Sequence, residues 1–317
     1  MTLPWNLDAM HAVAAYRSDF LTSFFNFWSD VGDVPGYLLI ITLLYTAINR
    51  ALTVRLAVLL LVTICVNHIL KTLIGNPRPF VVDGSWTEMW VVSKGHVESL
   101  VLEYSTPSGH AMSVAAFYTY LAAATRRRWL SVAAVIVMLL VGLSRPYLGV
   151  HYFEDILLGW LLGGLLAWGA LRYGDRIERH WERLSFALKA TRLVVFSVGM
   201  WAFTYFLGAT APDQPPLSII GNLGFLTGVL LAAHLERQRV GYEVAPGTVL
   251  QKVGRWLLLI ACVGATMLAL SSAADQMVER ASAMGHLVKY LRYTAVGFAG
   301  LLLAPYLMVR TRLAKGH

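Results

Sequence analysis

The sequence predicts an all-α fold, a polytopic membrane bundle of about nine transmembrane helices preceded by an interfacial amphipathic helix. Three observations support this. Charged residues make up only 14% of the 317 residues and hydrophobic residues 57%, whereas a soluble domain carries about 25% charged residues. Apolar runs long enough to cross a bilayer recur along the chain. Lys and Arg are concentrated in alternate loops, as in membrane proteins with basic cytoplasmic loops.

The chain begins with an amphipathic segment. Over residues 6–29, apolar residues recur at near-helical spacing among charged ones, which predicts an interfacial helix over residues 1–33. One long tilted span over residues 20–48 is the alternative, but Asp30 and Asp33 in its middle disfavour insertion. The spans predicted after this segment lie at about residues 34–49, 56–74, 109–125, 129–145, 153–171, 193–210, 217–235, 255–273 and 288–309.

The most charged stretch of the chain divides these spans into two groups. Residues 34–172 hold five spans and form a predicted core, and residues 193–317 hold four more of unknown role. The stretch between them, residues 173–192, is predicted to be a charged cytoplasmic linker. A close packing seam is expected where three glycines recur on one helix face, namely Gly221, Gly224 and Gly228.

Basic residues determine the predicted topology. The loops on one side hold 18 of the 26 Lys and Arg residues, so this side is predicted to be cytoplasmic, with the amino terminus outside and the carboxyl terminus inside. The formal charge of +8 is attributed to these basic cytoplasmic loops. No nucleic-acid partner is therefore expected. Three basic residues on the outside, Lys71, Arg78 and Arg145, lie at or beside predicted helix ends and indicate a site facing away from the cytoplasm.

The first polar cluster is KTLIGNPRP, which runs from Lys71 to Pro79. Gly75 and Pro77 are expected to end the helix, so that the chain turns back and leaves Arg78 at the membrane surface. Alone, this pattern is also typical of basic side chains that snorkel from helix ends.

The second cluster is STPSGHAM, residues 105–112, at the edge of an apolar run. Ser108 is a favoured N-cap, and Pro107 keeps the preceding chain extended. A helix that begins here directs its free backbone N–H groups out of the membrane, where they can bind an anion. Gly109 lets a ligand approach the backbone, and His110 points at the same region. An N-capped helix with an incidental histidine is the alternative.

The third cluster is SRPYLGVHYFED, from Ser144 to Asp155, in a short outside loop. His151 and Asp155 are four residues apart, so on a helix the carboxylate can hold one imidazole N–H and leave the other nitrogen free to attack. Arg145 is a bidentate donor suited to phosphate. Alternatively, the Asp–His pair only fastens the loop.

Together the clusters are complementary to a phosphate group undergoing transfer, because they combine cations, a helix N-terminus, two imidazoles and a carboxylate on one side. His110, His151 and Asp155 are also residue types that bind metals. A divalent ion would be repelled by the neighbouring cations, so neither a metal nor a cofactor is expected.

The outside loop over residues 80–106 contains further candidates. Three apolar side chains, those of Trp86, Met89 and Trp90, are expected either to cover the site or to form an ordinary interfacial anchor. Three carboxylates in the loop are candidates for steering a substrate head group, namely Asp83, Glu98 and Glu103.

In order and spacing, these residues resemble the type-2 phosphatidic acid phosphatase superfamily. Its signature is Lys, six residues, Arg-Pro; then Pro-Ser-Gly-His; then Ser-Arg, five residues, His, three residues, Asp. This chain matches every position, with Lys71, Arg78-Pro79, Pro107 to His110, Ser144-Arg145, His151 and Asp155. The resemblance covers about residues 56–172. The nine-span layout with an outside amino terminus is similar to that of glucose 6-phosphatases within this superfamily.

The resemblance implies a metal-independent phosphatase that forms a phosphohistidine. His151 would attack phosphorus, Asp155 would orient it, and His110 would protonate the leaving oxygen and then help to activate water. The residues implied to hold the phosphoryl oxygens are Lys71, Arg78, Ser108, Gly109 through its N–H, and Arg145.

The resulting hypothesis is a phosphatase of a bacterial inner membrane that acts on a lipid phosphate monoester or pyrophosphate from the periplasmic side. Its expected partners are the lipid substrate and membrane lipids, and a homodimer is left open. The alternatives are a phosphatase for a soluble sugar phosphate, which the nine-span layout favours, and a lipid phosphotransferase. A non-catalytic carrier, with transport through the last four spans, is the alternative from another class.

Overall fold

The computed structural model describes residues 3, 5–82, 103–207, 218–244, 247–277 and 282–316. Within these ranges, the regular structure is helical apart from one isolated β-bridge between Glu243 and Lys315, which confirms the predicted all-α fold. The helices are α1 (Asn6–Ala14), α2 (Asp19–Val31), α3 (Val34–Ala47), α4 (Arg50–Ile74), α5 (Pro79–Val82), α6 (Gly109–Thr125), α7 (Arg128–Tyr147), α8 (Phe153–Glu182), α9 (Phe186–Leu207), α10 (Ser218–Arg239), α11 (Val249–Met277), α12 (Ala283–Phe298) and α13 (Ala304–Arg310), with a π-helical segment at Ala299–Leu303.

The helices identify an integral membrane protein, but the predicted count of nine spans is not confirmed. In the described ranges, seven helices are long and apolar enough to cross a membrane, or eight if the bent pair α2 and α3 is one broken span. Two predicted spans are short, because α3 has 14 residues and α6 has 17, and a straight crossing takes about 20. The argument for a sugar phosphatase rested on a layout of nine spans, and it is not supported because that number is not confirmed.

The amino-terminal segment differs from the single helix predicted over residues 6–29. Two helices form there, because Ser18 interrupts the run with an extended backbone and caps α2 by accepting a hydrogen bond from the Leu21 N–H. The axis then bends by 51° between α2 and α3. One straight span over residues 20–48 therefore does not form.

The chain folds into two compact units, each assembled from three chain segments. The first unit contains Met1–Leu38, Val62–Gly174 and Thr204–Pro216. The second contains Leu39–Leu61, Asp175–Phe203 and Leu217–His317.

The stretch predicted as a charged linker, residues 173–192, is mostly helical, because α8 continues to Glu182 and α9 begins at Phe186. Its carboxylates form ion pairs inside the second unit. Arg55 pairs with Asp175 and Glu178, and Arg237 pairs with Glu178 and Glu182. These pairs are partly exposed, so each contributes little to stability.

Helix α6 is the buried centre of the first unit. Its fully buried side chains are mostly small and apolar, namely Ala111, Met112, Val114, Ala115, Ala116 and Phe117. Glycines of α8 lie against it, since a Cβ at Gly159 would be 2.9 Å from the Ser108 carbonyl oxygen, and a Cβ at Gly163 would be 2.2 Å from that of Met112. Small residues let helix backbones approach closely, and this contact holds the start of α8 against the start of α6.

We expect Gly163→Val to destabilise the protein, by about 1–3 kcal/mol, because the new side chain would overlap backbone atoms that cannot move aside. Gly164→Val is the matched control, since a Cβ there would meet no atom within 4 Å. Thermal unfolding of the purified proteins in the same detergent measures the difference. Equal midpoints for the two variants would contradict the packing described here.

The glycine seam expected in the second unit is present between α10 and α12. A Cβ at Gly224 would lie 2.2 Å from the Tyr290 carbonyl oxygen, and a Cβ at Gly228 would lie 2.3 Å from that of Thr294. A Cβ at Gly221 would lie 3.2 Å from the ring of Tyr293. The backbone contacts advance from Tyr290 at Gly224 to Thr294 at Gly228, so α10 and α12 run parallel in near backbone contact.

Candidate active site

The residues of all three motifs meet in the first unit. They come from separate elements: Lys71 from the last turn of α4, Arg78 from the residue before α5, Ser108 to His110 from the start of α6, Arg145 from the last turn of α7, His151 from the following loop, and Asp155 from the first turn of α8. Most of these side chains are buried, including those of Lys71, Arg78, Ser108, Arg145, His151 and Asp155.

His151 lies between a carboxylate and a guanidinium. Its Nδ1 is 3.3 Å from Oδ2 of Asp155, and its Nε2 is 3.3 Å from Nη1 of Arg78. A guanidinium only donates hydrogen bonds, so Nε2 is the acceptor and the ring proton belongs on Nδ1, toward Asp155. The network therefore defines the tautomer in which Nε2 is unprotonated and directs its lone pair toward Arg78.

Two hydroxyl groups that the sequence analysis did not assign hold Asp155. Ser105 and Thr106 each donate a short hydrogen bond to its carboxylate, and the Tyr152 N–H donates to Oδ2 at 2.9 Å. Asn76 in turn donates to the Thr106 hydroxyl at 2.8 Å. The only sequence signal for the two hydroxyls is their position directly before the PSGH motif.

The start of α6 is fastened to both neighbouring motifs. Ser108 caps the helix through its hydroxyl, and its N–H donates to the Asp155 carbonyl oxygen at 3.0 Å. Asn67, which was also not predicted, donates to the Pro107 carbonyl oxygen at 3.0 Å. A Cβ at Gly109 would lie 3.2 Å from Oδ1 of Asn67, so a larger residue there would crowd this support.

Glu103 bridges two cations of the site. Its Oε2 is 3.2 Å from Nζ of Lys71 and 3.6 Å from Nη2 of Arg78, whose Nε donates to the Glu103 carbonyl oxygen at 3.0 Å. Burial alone would raise the pKa of Glu103, but Lys71 and Arg78 outweigh burial and lower the pKa to about 2. The stabilising ion pairs are therefore lost only as the pH falls from the ordinary value of 4.5 toward 2.

The other loop candidates cannot be compared with the structure, because they lie outside the described residues. They are Asp83, Trp86, Met89, Trp90 and Glu98.

The end of α2 borders the site, which the sequence analysis did not predict. Nη1 of Arg145 donates to the Ser29 hydroxyl at 2.5 Å. The approach is close because Gly32 has no side chain, and a Cβ there would lie 2.4 Å from Val141 of α7. The amino-terminal segment therefore orients one of the site's cations.

His110 belongs to the same charged site. Its ring interacts electrostatically with His151 and with the surrounding cations. On the other side, its Nε2 lies 3.8 Å from Oδ2 of Asp33, which follows α2. All the residues proposed from the three motifs are thus gathered in one region of the first unit.

The electrostatics favour a neutral imidazole at His151. Burial and the charge of Arg78 lower its pKa below the ordinary histidine value, although Asp155 opposes the shift. Within the ranges that the structure describes, no group of three or more His, Cys, Asp or Glu side chains could hold a metal ion. Chemically, the site offers a neutral nitrogen nucleophile beside permanent cations.

Comparison with known protein families is consistent with this geometry. Residues 52–179 match the PAP2 superfamily, and this range contains all three motifs. Residues 220–316 match the transmembrane extension of PAP2 superfamily phosphatases. The last three predicted spans, to which the sequence alone assigned no role, thus lie within a recognised addition to this domain.

Characterised relatives align with part of the chain. An undecaprenyl-diphosphatase of Sulfolobus acidocaldarius is 29% identical over 119 residues, which are 38% of this chain and 53% of that protein. Phosphatidylglycerophosphatase B of Bacillus subtilis is 34% identical over 85 residues, which are 24% of this chain and 42% of that protein. The chain therefore spans about half the length of the curated relatives it matches.

Among solved structures, a transmembrane PAP2-type phosphatidylglycerolphosphate phosphatase from Bacillus subtilis aligns with a TM-score of 0.45 and 23% identity, covering 54% of this chain and 85% of that one. The two family matches show that the chain contains a PAP2 superfamily domain at residues 52–179 and the transmembrane extension of PAP2 superfamily phosphatases at residues 220–316.

Proposed function

We propose that this protein is a membrane phosphatase that hydrolyses a phosphate monoester or pyrophosphate of a lipid through a phosphohistidine at His151. The observation that carries the proposal is the state of His151, whose Nδ1 faces Asp155 while its Nε2 accepts from Arg78. In this arrangement Nδ1 carries the ring proton and Nε2 is the unprotonated nucleophile. The nucleophile lies next to a cation that can hold the phosphoryl group.

In the first step, Nε2 of His151 attacks phosphorus, and the bond between phosphorus and the lipid oxygen breaks. His110, in its protonated imidazolium form, donates a proton to the departing oxygen, so that the lipid leaves as an alcohol or a lipid monophosphate. As the imidazole becomes positively charged, Asp155 stabilises it through the Nδ1 proton. The products of this step are the free lipid and a phosphoryl group on His151.

In the second step, a water molecule attacks the phosphorus of the phosphohistidine. His110, now without its proton, accepts one from the water, and the phosphorus–nitrogen bond breaks. Inorganic phosphate leaves, and both histidines return to their starting states. The sum of the two steps is hydrolysis, with no electron transfer.

The phosphoryl oxygens are assigned to the cationic groups around His151. These are Lys71, Arg78, Ser108, the backbone N–H of Gly109, and Arg145. Stabilisation of phosphate charge by fixed donors is the main requirement of phosphoryl transfer, and the N-terminus of α6 adds its dipole. A metal ion has no role in this scheme, because these cations supply the charge.

A lipid substrate is favoured over a soluble one for two reasons. The relatives described above are named for an undecaprenyl diphosphate and a phosphatidylglycerophosphate, and the nine-span layout that favoured a sugar phosphate is not confirmed. The Lys and Arg distribution supports a site on the extracytoplasmic side of the membrane, in a bacterial inner membrane, with the carboxyl terminus in the cytoplasm.

The test is a phosphate-release panel with the purified protein, run throughout in chelator. The panel contains phosphatidic acid, phosphatidylglycerol phosphate, undecaprenyl pyrophosphate and glucose 6-phosphate. We expect release from at least one lipid and none from the sugar. Release from glucose 6-phosphate alone, or activity restored only by a divalent ion, would contradict the proposal, and transfer of phosphate to a lipid alcohol instead of water would identify a phosphotransferase.

Glu103 leads to a further expected result. Its carboxylate forms ion pairs with Lys71 and Arg78, two cations that are assigned to the phosphoryl group. The carboxylate therefore competes with the substrate phosphate for these cations. Glu103→Gln should therefore bind inorganic phosphate about tenfold more tightly, which corresponds to about 1.4 kcal/mol. Isothermal titration at neutral pH measures the affinity.

Glu103→Asp serves as the control for this titration, because it retains the negative charge and should remain near the wild-type affinity. Unchanged or weaker phosphate binding by Glu103→Gln would show that the carboxylate does not compete.

A further inference from the structure

The second unit contains an apolar groove that the proposed reaction does not use. The groove has a volume of 720 Å³, within the range of about 300–1,000 Å³ typical of ligand sites. Its walls come from the end of α10, from α11, and from the run formed by α12, the π-helical segment and α13. Nearly all of the lining is apolar, as at Leu291, Phe298 and Leu303.

The length of the groove suits a lipid chain. Lining residues extend along one helical run from Leu291 to Tyr306, which at about 1.5 Å per residue is about 22 Å. This is more than half of the hydrocarbon core of a bilayer, which is about 30 Å thick. The groove therefore covers the depth of one leaflet.

An irregular backbone helps to form the groove. The segment Ala299–Leu303 is π-helical, and such segments are rare and often mark functional sites. The small side chains of Ala295 and Ala299 lie in the wall at this point. The groove is thus part of the helix geometry and does not depend on a flexible loop.

One end of the groove is cationic. Arg239, in the last turn of α10, lines the groove and is exposed. Tyr306 lines the same end, and its hydroxyl accepts a hydrogen bond from Nη1 of Arg310 at 3.1 Å. Two guanidinium groups and a phenol at the end of an apolar groove match the phosphate of a lipid head group, with the acyl chains beyond it.

We propose that this groove is a binding site for one anionic glycerophospholipid. The acyl chains lie along the π-helical segment, and the head-group phosphate lies between Arg239 and Arg310. The distribution of Lys and Arg predicts this end to be cytoplasmic, so the ligand comes from the inner leaflet. This lipid is a bound ligand of the transmembrane extension and is not the substrate of the PAP2 domain.

The test measures bound lipid on the purified full-length protein. The protein is reconstituted in nanodiscs of equal parts phosphatidylglycerol and phosphatidylethanolamine, and retained lipids are identified by native mass spectrometry. Ala295→Trp fills the groove, and Ala261→Trp, on an exposed face of α11 outside the groove, is the matched control. Arg239→Gln combined with Arg310→Gln removes the charges, with Lys252→Gln as its control.

We expect the wild type and both controls to retain one phosphatidylglycerol per chain. Ala295→Trp should lose it, and the double arginine variant should bind it about 30-fold more weakly, since each basic residue contributes roughly fivefold. The charge variants leave the groove walls unchanged and so remain informative if Ala295→Trp does not fold. Equal retention of phosphatidylethanolamine, retention by all variants, or a dimer lost on groove filling without loss of lipid would each overturn the proposal.

Discussion

Replacement of His151 by alanine is expected to lower kcat/KM at least about 10³-fold, because the nitrogen that forms the phosphorus–nitrogen bond is lost. The ring is almost fully buried, with 2% exposure, so its removal also leaves a cavity. His151→Gln is the companion variant, since it keeps more of the volume and a polar end without the nucleophile. Kinetics with the best lipid of the substrate panel give the measurement, and thermal unfolding shows whether each variant is folded.

His180→Ala is the control for this experiment, because His180 is exposed near the end of α8 and lies in the second unit. It should keep wild-type kinetics. A folded His151→Gln that retains wild-type turnover would rule out the phosphohistidine route. A carrier would also survive this substitution, so the same experiment separates an enzyme from a transport protein.

Asp155→Asn is expected to lower kcat by about 10³–10⁴-fold with little change in KM. An amide cannot accept hydrogen bonds at both positions as the carboxylate does, and its NH₂ would face the Ser105 and Thr106 hydroxyls or the His151 ring. The imidazole would lose the partner that defines its tautomer and stabilises its charge. Steady-state kinetics on the lipid substrate measure the effect.

The neighbouring Glu154 provides the matched control, since no hydrogen bond reaches its carboxylate oxygens from the described part of the chain. Glu154→Gln should leave kcat unchanged. Loss of one hydroxyl, in Ser105→Ala or Thr106→Val, should lower kcat by about 10-fold to 100-fold, the effect of losing a hydrogen bond to a charged group. An active Asp155→Asn would mean that the carboxylate only fastens the loop.

The candidate site could be predicted from the sequence because its residues lie in short motifs with characteristic spacing. His151 and Asp155 are four residues apart, and Ser108 precedes an apolar helix, so each motif predicts its own local geometry. The distribution of Lys and Arg then predicts that the motifs lie on one side of the membrane, and the structure gathers them in one unit.

The supporting contacts were not predictable in this way, because they join residues far apart in the chain. Ser29 meets Arg145 across 116 positions, and Asn67 meets Pro107 across 40. An isolated polar residue in an apolar helix carries no signal of its partner. Glu103 was one of three candidate carboxylates in its loop, and its contacts with Lys71 and Arg78 are visible only in the folded structure.

The number of spans was predicted less well than the fold class. Hydropathy measures the apolar length of a segment, but the 17 residues of α6 and the 14 of α3 are close to the limit for a crossing. The break at Ser18 and the bend before Val34 depend on capping and on close packing at Gly32. These local effects do not change the average hydropathy of the segment.

Detection of the covalent intermediate tests the central claim most directly. The enzyme is mixed with its lipid substrate, quenched within milliseconds under alkaline conditions, in which a phosphohistidine survives, and digested for peptide mass spectrometry. The account predicts one phosphoryl group on His151 during turnover in the wild type and none in His151→Gln. Turnover with no phosphoryl group on His151 at any time, or with the group on another residue, would contradict it.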